Sequence, residues 1–231
     1  MGLNRGGRGR EPVRTLYAYS QSVLPKPPDW GSDVFVTGYW FLEEGDQWVL
    51  PQSLSEFIAA GNKPIYVGFG SMPDLDQGVL AGKIADALKQ CGRRGVFAVG
   101  GGALRGAPKV PHIHVLDSAP HARLLPLMSA ALHHGGAGTT GASLRAGIPT
   151  ITCPVFGDQP FWGRLVHQIG AGPPPLDRHH LSVGDLVAAI SAAFNPGVER
   201  RAREVGQKIQ EEDGVETAVS VLEGLGLSKP V

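Results

Sequence analysis

Ala130-Ala131-Leu132-His133-His134-Gly135-Gly136-Ala137-Gly138-Thr139-Thr140 decides how this chain folds. The apolar run at its start predicts a buried strand over Ala130–His133. Four of the five residues after the histidine pair are Gly or Ala, and a helical pattern then runs to a stop at Gly147. Strand, glycine-rich turn, helix is the half-unit of a parallel α/β sheet. Glycines let backbone N–H groups approach a bulky anion, and they tolerate positive φ. The first turn of the following helix leaves unpaired N–H groups that suit a diphosphate. Thr139 and Thr140 add hydroxyl donors, and an imidazole at the strand end can donate to a phosphate oxygen.

The same rhythm extends on both sides. Strands are expected over residues 64–69, 95–99, 112–116 and 149–153, with an amphipathic helix over 78–90 that puts Val79, Leu80, Ile84, Ala87 and Leu88 on one side. Helices are also expected over 54–60, 160–169, 186–194, 198–209 and 215–222, a short one through Leu124-Leu125, and a short strand near Ala171 before Pro173-Pro174-Pro175. Earlier strand-like runs cover 16–20 and 34–40, separated by a proline-rich connector. Alternating strands and helices with short links predict an α/β fold, a Rossmann-like parallel sheet with helices on both faces. Such sheets bind ligands beyond the carboxyl ends of their strands, where every motif here falls.

The bulk composition excludes several classes. The 231 residues are 42% hydrophobic and 18% charged with zero formal net charge, so no polyanionic partner such as nucleic acid is indicated. No apolar stretch approaches the roughly 20 residues of a membrane-spanning helix, and no signal-peptide core opens the chain. Cys91 and Cys153 lack metal-type spacing and read as reduced core residues of a cytoplasmic protein. The His pairs lack a third ligand, so no metal site is expected. A Walker-type site is excluded, because no Lys follows the glycines. Val99-Gly100-Gly101-Gly102-Ala103 has the wrong spacing for a dinucleotide fingerprint and is expected to be a loop, which disfavours an oxidoreductase. His112, His114 and His167 read as structural, and His179-His180 as exposed.

Several ordered motifs together carry a resemblance. His133–Thr140, Arg145-Ala146-Gly147-Ile148-Pro149 and Phe156-Gly157-Asp158-Gln159-Pro160-Phe161-Trp162 resemble the C-terminal donor-binding half of GT-B-fold glycosyltransferases, in the sterol and antibiotic glucosyltransferase branch of the UDP-glycosyltransferase superfamily. Gly68-Phe69-Gly70-Ser71-Met72 and Ser118-Ala119-Pro120-His121 extend the likeness. It implies a donor-binding domain over residues 61–231, the end of an acceptor domain and a connector over 15–60, and a disordered or appended tail over 1–14. A further N-terminal domain of roughly 150 to 200 residues is expected, carrying the acceptor pocket and the catalytic base.

The resemblance also implies roles. The histidine that opens the glycine-rich segment, His133, would contact the donor phosphates, with His134 as the neighbour able to substitute. Gly136, Ala137, Gly138 and Thr139 would supply donors to the diphosphate, and Ser71 would approach it from the other side. Ser118 and Ala119 would read the nucleobase and ribose. Asp158 and Gln159 would grip the sugar hydroxyls, a carboxylate and an amide being suited to vicinal hydroxyls. Family members with larger residues stack a tryptophan on the base and place a glutamate on the ribose, where this chain has Ala119 and Gly141.

The implied activity is inverting transfer of a hexose from a nucleotide-sugar, with UDP-glucose as the expected donor, to a hydroxyl of a lipid, sterol or other aglycone. No metal and no cofactor is required by that chemistry. The alternative is a non-catalytic nucleotide-binding or interaction module of the same fold. The bland reading of the motifs stays open beside both: a plain strand–helix turn, Ser71 as a helix cap and Asp158-Gln159 as the cap of the next helix. This half alone is expected to bind donor without transferring sugar, and to self-associate through an apolar face that includes Phe161 and Trp162.

Overall fold

The computed structural model describes residues 14–42, 48–70, 77–102, 104 and 106–224. They fall into two compact units, divided between residues 41 and 42 and between residues 211 and 212, with the described residues 14–41 and 212–224 in the first and the rest in the second.

In the first unit, β1 (Thr15–Tyr17) and β2 (Val34–Val36) pair in parallel, in the register Leu16 to Phe35. The proline-rich connector between them is pinned by the Tyr17–Trp30 stack, ring centroids 4.5 Å apart, and by Lys26, whose Nζ donates to the Gly31 and Val34 carbonyls. Ser20 donates to Glu212 Oε1 at 2.6 Å, tying this segment to the residues that lead into the last helix of the chain.

The second unit is α/β. Its elements run α1 (Gln52–Ala59), β3 (Ile65–Gly68), α2 (Gln77–Gln90), β4 (Gly95–Ala98), β5 (Ile113–Leu116), α3 (His121–Leu124) with a following 3₁₀ turn (Leu125–Leu127), β6 (Ala130–His133), α4 (Ala137–Arg145), β7 (Thr150–Thr152), α5 (Gln159–Gln168), α6 (Val183–Ala193) and α7 (Pro196–Gln210). α8 (Gly214–Gly224) belongs to the first unit. The five strands are all parallel, in the order β5-β4-β3-β6-β7. This is the expected parallel sheet with helices on both faces.

Period two explains both layers. Ile65, Val67, Phe97, Ala130 and Leu132 face one core with α2 and α6. Tyr66, Val96 and Ala131 face the other, with Leu54, Leu124 and Ile148. The central strands are buried on both faces and therefore read as continuous apolar runs rather than alternations. Ser182 and Asp185 close α6 with a reciprocal capping box, and Asn195 caps α7.

Three expectations differ from the structure. Residues 16–20 and 34–40 shorten to the three-residue strands Thr15–Tyr17 and Val34–Val36, with single backbone bonds from Thr37 to Tyr17 and from Gly38 to Tyr19 beyond them. Ala171 is a bend, not a strand: its carbonyl accepts the Thr150 amide at 3.0 Å, and Gly172 beyond it has no room for a Cβ beside the Thr150 carbonyl. Val79 is exposed, while Leu80, Ile84, Ala87 and Leu88 are buried as expected.

Candidate functional site

Going from β3, the chain winds outward to β4 and β5, then returns to place β6 against the other side of β3. The direction of winding therefore reverses between β3 and β6, and the crevice at the carboxyl ends of these two strands is the switch point where sheets of this kind hold ligands. After β3 come Phe69, buried, and Gly70, with φ of 57°. After β6 come His134 and the glycines. Gly70 and the His134 imidazole meet across the crevice, since a Cβ built on Gly70 would lie 3.8 Å from His134 Cε1.

The glycine-rich turn is shaped by what its side chains would hit. Gly135 has φ of 88°, and a Cβ there would lie 3.1 Å from the Gln159 carbonyl. A Cβ on Gly136 would come 2.6 Å from His134 Nε2, so only glycine leaves the imidazole its place. α4 then starts without a side-chain cap among the described residues, and its ladder begins with the Thr140 amide bonding the Gly136 carbonyl. The amides of Ala137, Gly138 and Thr139 precede that first bond and lack intrahelical acceptors. They carry the positive end of the helix dipole. Gly138 is exposed and Thr139 half-buried at this end, whereas Thr140 is buried, its hydroxyl without a partner among the described residues.

The two histidines divide sharply. His133 is still inside the sheet, opposite Gly68 of β3 and Thr152 of β7, and is fully buried. Its Nδ1 accepts the Gly135 amide at 2.9 Å, and its Nε2 lies 3.5 Å from Ser143 Oγ. Burial, with the charges of His134 and His121 adding to it, pushes its pKa down to about 3. The structure does not bring His133 to the crevice. His134 is the first residue past the ladder and is half-buried, with Nδ1 lacking a hydrogen-bond partner among the described residues. Burial lowers its pKa, opposed by the Gly68 carbonyl and the Asp158 carboxylate.

Asp158 thus shares its surroundings with His134. It is exposed at the start of α5, does not cap that helix through its side chain, and accepts the Trp162 indole N–H on Oδ2 at 2.7 Å. Gln159 turns the other way. It is only 4% exposed, and its Oε1 accepts the amides of Val155 and Phe156 at 2.7 and 3.2 Å, fixing the loop after β7. The two side chains of the pair therefore part, Asp158 exposed and Gln159 buried.

Ser118, exposed, and Ala119, half-buried, stand on the loop after β5, on the same edge of the sheet. That loop is held near the crevice, because the Gly100 amide donates to the Asp117 carbonyl at 2.7 Å and a Cβ on Gly101 would land on the Gly70 carbonyl. These close approaches require glycine at Gly100 and Gly101, a demand that the spacing of the Val99–Gly102 turn does not signal. Ser71 lies outside the described residues. Phe161 is 41% exposed while Trp162 is 8% exposed, so only the first belongs to the surface face expected of the two.

The remaining histidines are structural or exposed. His112 bonds the Ala85 carbonyl, His114 packs on Phe57, and His180 pairs with Asp177 at the surface. Among the described residues there is no cluster of three or more His, Cys, Asp or Glu placed to hold a metal ion, and no helix long and apolar enough to cross a membrane.

Residues 84–218 match the family described as erythromycin biosynthesis protein CIII-like, C-terminal domain. The chain is 40% identical over 205 residues to sterol 3-beta-glucosyltransferase UGT80A2 of Arabidopsis thaliana, covering 88% of this chain and 32% of that relative. It therefore spans about a third of the relative's own length. Among solved structures, the glycotransferase of kitacinnamycin superposes with a TM-score of 0.73 at 21% identity, covering 92% of this chain and 55% of that one. A UDP-glucose:anthocyanidin 3-O-glucosyltransferase in complex with UDP gives 0.65 at 20% identity, covering 85% and 48%. At these identities the two structures show the fold alone.

Proposed function

The chain belongs to the family of erythromycin biosynthesis protein CIII-like C-terminal domains, and from that premise we propose that it is the donor-binding half of an inverting glycosyltransferase. The donor is a nucleoside diphosphate hexose, UDP-glucose first, and the acceptor is a hydroxyl of a sterol or similar lipid aglycone. The name of the plant relative supports the acceptor class, and the UDP bound to the anthocyanidin enzyme supports the donor class.

The observation that carries this reading is the meeting of Gly70, His134 and the open start of α4 at the crevice between β3 and β6. In the reaction, the acceptor oxygen attacks the anomeric carbon on the face opposite the diphosphate. The bond from that carbon to the phosphate oxygen breaks, and negative charge moves onto the leaving diphosphate. The amides of Ala137, Gly138 and Thr139 and the His134 imidazole stabilise that charge in a fixed, partly dry setting. Ser71, next after Gly70 in the sequence, is proposed to add a hydroxyl. Each charge-assisted bond is worth about 1.5–3 kcal/mol, several times the contribution of the helix dipole itself.

Asp158 accepts hydrogen bonds from hexose hydroxyls with the oxygen that Trp162 leaves available. Gln159 acts through the loop after β7, and Ser118 and Ala119 face the base. The acceptor proton goes to a base supplied by a part of the enzyme beyond these residues. No metal enters this scheme, since the helix amides and the imidazole meet the diphosphate charge.

Titration calorimetry with UDP and UDP-glucose, in chelator, tests the proposal. Both bind, the sugar ester more tightly, and Asp158→Ala removes the difference. Absence of binding by either ligand would overturn it.

A further inference from the structure

His133 contacts no surface, yet it sits at the root of the turn that forms the crevice. Its environment fixes its chemistry. Nδ1 accepts the Gly135 amide at 2.9 Å, so the single proton of the neutral ring is on Nε2. That proton points to Ser143 Oγ at 3.5 Å. Ser143 in turn donates to the Thr140 carbonyl at 3.0 Å and accepts from Thr150 Oγ1 at 2.9 Å. The chain of bonds runs from the turn, through the imidazole, to the last turn of α4 and the start of β7. Ser143 and Thr150 are both fully buried, so each bond in it is made in a dry setting where an unmade one is costly.

The Gly135 amide is the backbone donor of the turn that His133 holds. Its residue has φ of 88°, and a Cβ there would lie 3.1 Å from the Gln159 carbonyl, so only glycine suits the position whose amide His133 holds. The next residues, Gly136 and Ala137, inherit that direction and deliver the uncapped amides of α4 to the opening.

We propose that His133 is the positioning residue of the site: it draws the Gly135 amide inward and so aims the amides of Ala137, Gly138 and Thr139 at the ligand, while His134 alone of the pair touches it. This rests on the reading that the crevice takes a nucleoside diphosphate. A ring held neutral by burial suits the task, because protonation of Nδ1 would set two donors against each other and release the turn.

The test uses the whole chain with His133→Asn, His133→Leu and Ser143→Ala. Asparagine places an oxygen close to where Nδ1 stands and keeps an acceptor for Gly135; leucine fills similar space without one. Two readouts are taken: UDP-glucose affinity by calorimetry, and hydrogen exchange of the Gly135 amide in ligand-free protein by NMR. For His133→Leu, a loss of tenfold or more in affinity and exchange of Gly135 at least tenfold faster are expected, with His133→Asn within about threefold of wild type in both. Should His133→Leu fail to fold, Ser143→Ala serves: it frees the ring at its far end, and affinity is expected to fall severalfold with faster Gly135 exchange.

Wild-type affinity in His133→Leu, or an equal loss in the asparagine and leucine variants, would overturn the proposal. So would wild-type affinity and exchange in Ser143→Ala. If wild type binds no UDP-glucose, the functional reading fails, and the exchange of Gly135 still decides whether His133 holds the turn.

Discussion

The indole N–H of Trp162 donates to Oδ2 of Asp158 at 2.7 Å, one turn along α5. The bond restricts the rotation of the carboxylate, and Trp162 itself is 8% exposed at the rim of the site. An aspartate held this way can meet sugar hydroxyls without first losing its own freedom.

Trp162→Phe keeps the ring and removes the donor. The preference for UDP-glucose over UDP is expected to fall severalfold, with UDP affinity itself unchanged. Parallel calorimetric titrations of the two ligands check this; an equal loss for both would place the tryptophan's role in folding instead.

Gly136→Ala and Gly138→Ala separate space from propensity. The first puts a methyl group 2.6 Å from His134 Nε2, whereas nothing lies within 4 Å of a methyl at Gly138. Gly136→Ala is expected to weaken UDP-glucose at least tenfold by displacing the imidazole. Gly138→Ala lies in the first turn of α4 and should be neutral or stabilising by up to about 1 kcal/mol. Thermal melts beside binding curves distinguish the two.

The sheet was legible because buried parallel strands announce themselves as short apolar runs between glycines, and Ala130–His133 fell where the run ends. Where the ladder stops was not legible. The role of first residue beyond the sheet passes from His133 to His134 because Gly68 and Thr152, distant in sequence, are the last partners of β6. Strand parity was the available signal: His133 shares a face with Ala131, which packs toward the core on the α4 side. Gln159 was hidden for a similar reason. Its oxygen is claimed by two loop amides, and a demand of that kind leaves no mark on composition or spacing.

Binding should depend on pH through His134. Its pKa is below the usual 6.5 in the free protein, so near neutral pH the ring is uncharged, and a bound diphosphate favours the charged form. Proton uptake then accompanies binding, and affinity rises as pH falls from 8 to 6. UDP-glucose is the ligand to use, because its diphosphate has no proton to lose in that range. Calorimetry in buffers of different ionisation enthalpy reads the uptake directly. His134→Gln should bind more weakly and with a flat profile; an equally sloped profile would remove His134 from the site.

Stability should depend on pH through His133. Its folded value of about 3 lies below the unfolded value of 6.5, so the unfolded chain takes up a proton that the folded chain refuses. This contribution is complete above pH 6.5 and is lost downward at about 1.4 kcal/mol per pH unit, towards pH 3. Denaturant melts between pH 6.5 and 4 should therefore show a shallower loss for His133→Asn than for wild type. Equal slopes would mean that the ring is protonated in the fold.

The central claim is that a diphosphate sits at the crevice between β3 and β6, against the start of α4. Amide chemical-shift mapping during a UDP-glucose titration tests it most directly. The account predicts that the largest shifts fall on Gly70, Gly136, Gly138 and Thr139, with Gly135 moving little because its amide is already taken by His133. Saturating binding whose largest shifts lie elsewhere, such as along Val110 to Val115 at the open edge of β5, would contradict it.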